Sequence, residues 1–225
     1  MGQLKLVWLL AIKDLKIEYR SRQAFLTTLF FAALILVVFN FAFDPGSAST
    51  RDASPGILWV ALLFPGMIQL NRSFQSETEE GTLQGIVLAP VDRGILFLGK
   101  VLANWLFLLA IDLLILAVFI VFFNFAPDPS FLWVILFMFL VGAGFSAVGT
   151  VFAAMVTNVR IREVLLPILL FPIIVPIILA AVNATREVLI HQDFSTVERW
   201  LQLVVAFDVI FLAAGFLVFD YVVGE

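Results

Sequence analysis

The sequence predicts an all-α integral membrane protein: six transmembrane helices, an N-terminal interfacial amphipathic helix, and a cytoplasmic coupling helix between spans 2 and 3. Three observations predict it. The 225 residues are 63% hydrophobic and 13% charged, where soluble domains carry roughly 45–50% apolar and about 25% charged residues. Mean hydropathy is +1.11. Apolar blocks close to the roughly 20 residues that cross a bilayer recur six times along the chain. Phe alone occurs 25 times, which suits lipid-facing helix surfaces.

Residues 1–22 read as the interfacial helix. Leu4, Trp8, Ala11, Leu15 and Tyr19 recur every three to four residues, with Lys13, Asp14, Lys16 and Arg20 elsewhere on the wheel. Trp8 would sit at headgroup depth and the lysines toward anionic lipid. The scattered basic residues and the lack of a short apolar core with a small-residue cleavage site do not read as a cleavable signal.

Spans follow at about 24–43, 57–74, 96–123, 131–156, 164–182 and 202–222, forming one domain over 1–225. The second is the weakest, because its uninterrupted apolar run is only Ile57 to Leu70. Charge decides in its favour. With six spans and both termini cytoplasmic, Lys5, Lys13, Lys16, Arg20, Arg22, Arg72, Arg93, Lys100, Arg160 and Arg162 fall inside. Only Arg51, Arg186 and Arg199 fall outside. That is the positive-inside pattern, and dropping the second span abolishes it. The outer loops, 44–56, 124–130 and 183–201, are too small to form a capture domain. The last has the alternation of a short surface helix, with Val188, Leu189, Val197, Trp200 and Leu201 set against charged residues.

The longest polar interruption runs from Asn71 to Lys100. Glu77, Glu79 and Glu80 precede Gly81, an amphipathic piece runs through Leu83, Gln84 and Gly85 to Leu88, and Pro90 stops it. Carboxylates before a short helix at Thr82 to Leu88 would stabilise its N-terminus and offer anionic contacts to a docked protein. The plainer reading is a solvated loop.

Two carboxylates lie at membrane depth, Asp112 in the third span and Asp208 in the sixth. Such groups face a bundle interior or a wet cavity. They either line a path or relay protons, or they hydrogen-bond a neighbouring helix. Gly142, Ser146, Thr150 and Ala154 form a small-residue face for close packing. Asn104 reads as interfacial, and Lys100 as an anchor of the third span at the inner interface. Pro167, Pro172 and Pro176 make the fifth span kinked or broken, as in moving or substrate-lining helices.

Enzyme and cofactor chemistry find little support. With no cysteine and one histidine, His191, there is no cluster for a metal. A net charge of −4 argues against nucleic acid. Gly94 to Val101 matches the glycine and lysine spacing of a phosphate-binding loop, but Val101 replaces the magnesium-binding hydroxyl and no strand precedes it. Any ATP would be hydrolysed by a partner.

This order of features resembles an ABC-2-type transporter permease, and more closely the haem exporter protein B (CcmB) family of cytochrome c maturation. The matching segments are Pro55 to Phe64, Glu79 to Pro90, Gly99 to Trp105 and Leu169 to Ala181. The resemblance implies a subunit of the bacterial inner membrane, present in two copies. It implies pairing with the ATPase CcmA, association with CcmC and CcmD, and functional contact with the chaperone CcmE. By position, the ATPase contact falls on Glu77 to Leu88. Haem would belong to the complex, with ligation by CcmC rather than His191. Three functions stay open: an ATP-driven permease subunit, a non-transporting transducer that remodels a haem-handling neighbour, and a stand-alone secondary transporter using Asp112 and Asp208.

Overall fold

A computed structural model of the chain describes residues 2–20, 22–43, 47–79, 92–157, 159, 161–191 and 195–224. Among the described residues, seven α-helices carry the fold: α1 (Gln3–Arg20), α2 (Arg22–Ala42), α3 (Ala48–Glu79), α4 (Arg93–Phe122), α5 (Phe131–Val156), α6 (Arg162–Arg186) and α7 (Val197–Gly224). Six of them, α2 to α7, are long and apolar enough to cross a membrane. In a bilayer only such helices, with their backbone hydrogen bonds made internally, or closed barrels can span.

The helices alternate in direction, and side chains mark which ends lie together. At one end, Arg93 Nη1 of α4 meets Asp220 Oδ1 of α7 at 3.1 Å. At the other, Asn40 Nδ2 of α2 donates to the Phe122 carbonyl of α4 at 2.7 Å. There too, Arg51 lies 5.6 Å over the Phe125 ring, a cation–π contact. Asn124, with φ 52°, turns the chain after α4, a conformation that asparagine tolerates better than most residues.

The span with the weakest apolar run is the most enclosed. The membrane-length stretch of α3 is 72% buried inside the protein, whereas that of α2 is 17% buried. A helix shielded by protein does not need uniform apolarity. Thr50, Ser54 and Gln69 of α3 are buried. Trp59 Nε1 of α3 donates to Thr185 Oγ1 of α6 at 2.9 Å, a type of bond worth about 0.6 kcal/mol on average between membrane helices. At 32 residues, α3 extends about 48 Å. It therefore overruns the roughly 30 Å hydrocarbon layer, and the helix continues past residue 74, where the span was expected to end, to Glu79.

α5 is the central post, and its glycines admit three different neighbours. A Cβ on Gly142 would lie 3.2 Å from Trp105 of α4. One on Gly144 would lie 2.3 Å from Asp208 Oδ1 of α7, and one on Gly149 2.2 Å from Leu70 of α3. The four-residue repeat Gly142, Ser146, Thr150 describes only the side toward α4, where Thr150 accepts a hydrogen bond from Asn104 at 3.2 Å. Asn104 is therefore a buried helix–helix contact and not an interfacial residue.

Two further expectations change. α6 runs unbroken through Pro167, Pro172 and Pro176 and continues as a π-helical turn, Glu187–His191. Pro172 and Pro176 are exposed, while Leu166, Leu170, Ile174, Ile177 and Ala180 on the inner face are fully buried. Pro172 and Pro176 therefore face outward, while Pro167 is half-buried. Among the described residues of the last outer loop there is no separate α-helix: Val188 and Leu189 extend α6 as its π-helical turn, and Val197 opens α7.

Candidate functional site: an ionic brace at the base of α1, α3 and α4

α1 packs against the bundle through one face and leaves another outside. Leu10 and Ala11 turn inward, and a Cβ on Gly99 of α4 would lie 2.7 Å from Leu10 Cβ. Leu4 is 86% exposed and Trp8 51%. The expected apolar stripe is thus divided. Ala11 and Leu15 pack inward, Leu4 and Trp8 point out, and the Tyr19 side chain lies outside the described residues. Periodicity cannot separate a face meant for protein from one meant for lipid, because both are apolar.

The close approach at Gly99 brings charged groups together. Lys100, 1% exposed, places Nζ 3.6 Å from Asp14 Oδ2, and Asp14 Oδ1 also meets Lys13 Nζ at 3.0 Å. One turn along α1, Glu18 accepts a hydrogen bond from Gln69 Nε2 of α3. Burial holds the Glu18 carboxyl above the usual carboxylate range, opposed by the Gln69 bond and the charge of Arg72. Lys100 is therefore a buried partner of α1. A buried charge needs such partners, since isolated it costs several kcal/mol.

Position gives this brace its interest. Gln69 lies ten residues before Glu79, where α3 ends, and Lys100 lies seven residues after Arg93, where α4 begins. At 1.5 Å per residue these are about 15 and 10 Å. The brace thus ties α1 to both helices that flank residues 80–91. Asp92 caps α4 there, its carboxylate accepting from the Gly94 N–H at 2.8 Å. The sequence signal for the brace was a lysine inside a span beginning, matched by Asp14 on a helix assigned to the interface.

Of the anticipated docking residues, Glu77 and Glu79 fall in the last turn of α3, with side chains outside the described residues. Glu80, Gly81, Leu83, Gln84, Gly85, Leu88 and Pro90 also lie outside them. The two membrane-depth carboxylates are buried but separate. Asp112 borders a cavity of about 30 Å³ with Trp59, Leu63, Gly66, Gly142 and Phe145, room for about one water. Asp208 packs on another side of α5, against Gly144, and its Oδ1 has no hydrogen-bond partner among the described residues. His191 is exposed and pairs with Glu187 Oε2 at 2.9 Å. Among the described residues no three His, Cys, Asp or Glu side chains gather to hold a metal ion.

These features define a multi-pass, all-helical membrane protein whose inter-span segment is braced at its root. A family model described as "CcmB protein" matches residues 5–220, and the chain belongs to the CcmB family. Similar proteins include "Heme exporter protein B" of Pseudomonas aeruginosa, 28% identical over 193 residues, which cover 86% of each chain. The protein of that name from Paracoccus denitrificans is 28% identical over 79% of this chain and 81% of its own. That from Rhodobacter capsulatus is 26% identical over 78% and 80%.

Proposed function

We propose that this chain is the membrane permease subunit of an ABC-type complex that handles or exports haem in cytochrome c maturation. A partner ATPase of the CcmA type docks on Glu77 to Pro90, two copies of the chain assemble in the inner membrane with both termini cytoplasmic, and CcmC, CcmD and CcmE are its further associates. The family and its relatives' names support the haem role. The observation that carries the coupling mechanism is the brace: Asp14 with Lys100, and Glu18 with Gln69. When the ATPase moves residues 80–91, α3 and α4 are displaced together because α1 cross-links them. α5, packed on both, passes the motion to α7.

The test is charge reversal of the docking carboxylates. Glu79→Lys with Glu80→Lys is expected to cut co-purification of the ATPase by tenfold or more while the chain still inserts and unfolds at the wild-type temperature. Undiminished recovery of an active ATPase would remove the docking assignment.

One observation favours the non-transporting variant, in which the motion remodels a haem-handling neighbour. The cavity at Asp112, about 30 Å³, is far below the roughly 300–1,000 Å³ of ligand pockets. On this reading Asp112→Asn leaves c-type cytochrome assembly within about twofold of wild type, since a lone, nearly dry carboxyl carries no ion path. A loss of tenfold or more, with normal protein levels, would restore a path through the chain.

A further inference from the structure

A hollow beside α1 has a character that neither the brace nor the docking segment uses. It measures about 650 Å³ and lies where α1, α2 and α4 diverge, between Ile12, Leu15, Lys16, Phe25, Phe107 and Ala110. We propose that it is a binding site for one anionic phospholipid, with an acyl chain in the hollow and the phosphate paired to Lys16.

Four features support that occupant. The lining is aliphatic and aromatic apart from one side chain, Lys16, which is exposed and makes no ion pair among the described residues. An apolar slot with a single cation matches a chain with an anionic head. The volume falls within the roughly 300–1,000 Å³ of ligand pockets. The third feature is the slender packing of α2, whose membrane-length stretch is 17% buried, so the Phe25 wall opens sideways toward lipid. The fourth is depth. Ala110 lies ten residues beyond Lys100 on α4, about 15 Å at 1.5 Å per residue. That is half of the roughly 30 Å hydrocarbon layer, the reach of a chain from one leaflet.

Haem, a second anionic amphiphile, fits less well. None of the lining side chains is a histidine, methionine, cysteine or tyrosine able to ligate its iron. The lipid would also bear on the brace. Lys16 lies two residues from both Asp14 and Glu18 on α1, so a lipid held there fixes the helix that joins α3 to α4.

The test uses the full chain, purified in neutral detergent, stripped of lipid, and titrated with phosphatidylglycerol or phosphatidylcholine of identical chains. Retention is read by native mass spectrometry. The wild type is expected to retain one phosphatidylglycerol in preference to phosphatidylcholine. Lys16→Gln is expected to weaken phosphatidylglycerol alone by about fivefold, and Ala110→Trp to weaken both. Equal retention of the two lipids by the wild type, or no change in Lys16→Gln, overturns the proposal. So does a haem absorption shift that Ala110→Trp abolishes while lipid retention stays. Should Ala110→Trp fail to fold, Lys16→Gln, a change of an exposed side chain, still decides.

Discussion

Lys100→Glu is expected to be among the most damaging single substitutions in the chain. It would place a buried carboxylate where Nζ now lies 3.6 Å from Asp14, with Glu18 close enough to act on the same site. Breaking a buried ion pair from one side costs about 3–5 kcal/mol, and reversal adds repulsion to lost attraction. Unfolding in detergent should start many degrees lower, with α1 accessible to protease first. Lys100→Met makes the contrast. It removes the charge without reversing it, and the carboxylate left behind is not stranded, because Asp14 is partly exposed and keeps Lys13 at 3.0 Å. Its cost is therefore expected to fall below the roughly 3–5 kcal/mol of an uncompensated buried charge and well below that of Lys100→Glu. Combining Lys100→Glu with Asp14→Lys should recover part of the loss, a coupling that only contacting residues show.

The second large effect is expected at Gly144. A Cβ there would lie 2.3 Å from Asp208 Oδ1 and 3.1 Å from Phe207, so Gly144→Val forces α5 and α7 apart. Overpacking of this kind costs about 1–3 kcal/mol. Part of the clash is with a carboxylate that Asp208→Ala removes. The double substitution should therefore be less damaging than the sum of the two singles, by about 1 kcal/mol. Strict additivity would show that Asp208 does not set the α5–α7 spacing. Thermal unfolding of the four proteins, measured in one detergent, reads both quantities.

Much of the architecture was legible in the sequence because bilayer crossing imposes a length and an apolarity that few other demands imitate. All six spans appear, and the count was decided by charge, since ten basic residues against three required the second span to exist. What the run Ile57 to Leu70 could not convey is why it is short. α3 is surrounded by protein, so buried Gln69 and Thr50 cost little there. The end of the helix is hidden in a similar way: the span reads as ending near residue 74 because the residues after it are polar, yet α3 continues to Glu79.

The site was less legible. Lys100 and Asp14 stand 86 positions apart, and nothing local marks them as partners. Each was assigned instead to the membrane interface, the usual place for a charge beside a span. The three prolines illustrate the opposite limit. Their spacing was plain, but whether they point inward or outward depends on which side of α6 meets α5, and the inner face goes to Leu166, Leu170 and Ile174. Asp112 and Asp208 were rightly placed in α4 and α7, but their separation by α5 required the packing.

The measurement closest to the central claim is c-type cytochrome assembly in cells whose only copy of this chain carries Lys100→Met, with the complex purified from the same membranes. If α1 transmits motion between residues 80–91 and the spans, the complex is recovered intact with an active ATPase, while cytochrome assembly falls by tenfold or more. Full assembly from Lys100→Met at normal protein levels would contradict that role and leave the pair of Lys100 and Asp14 as packing alone.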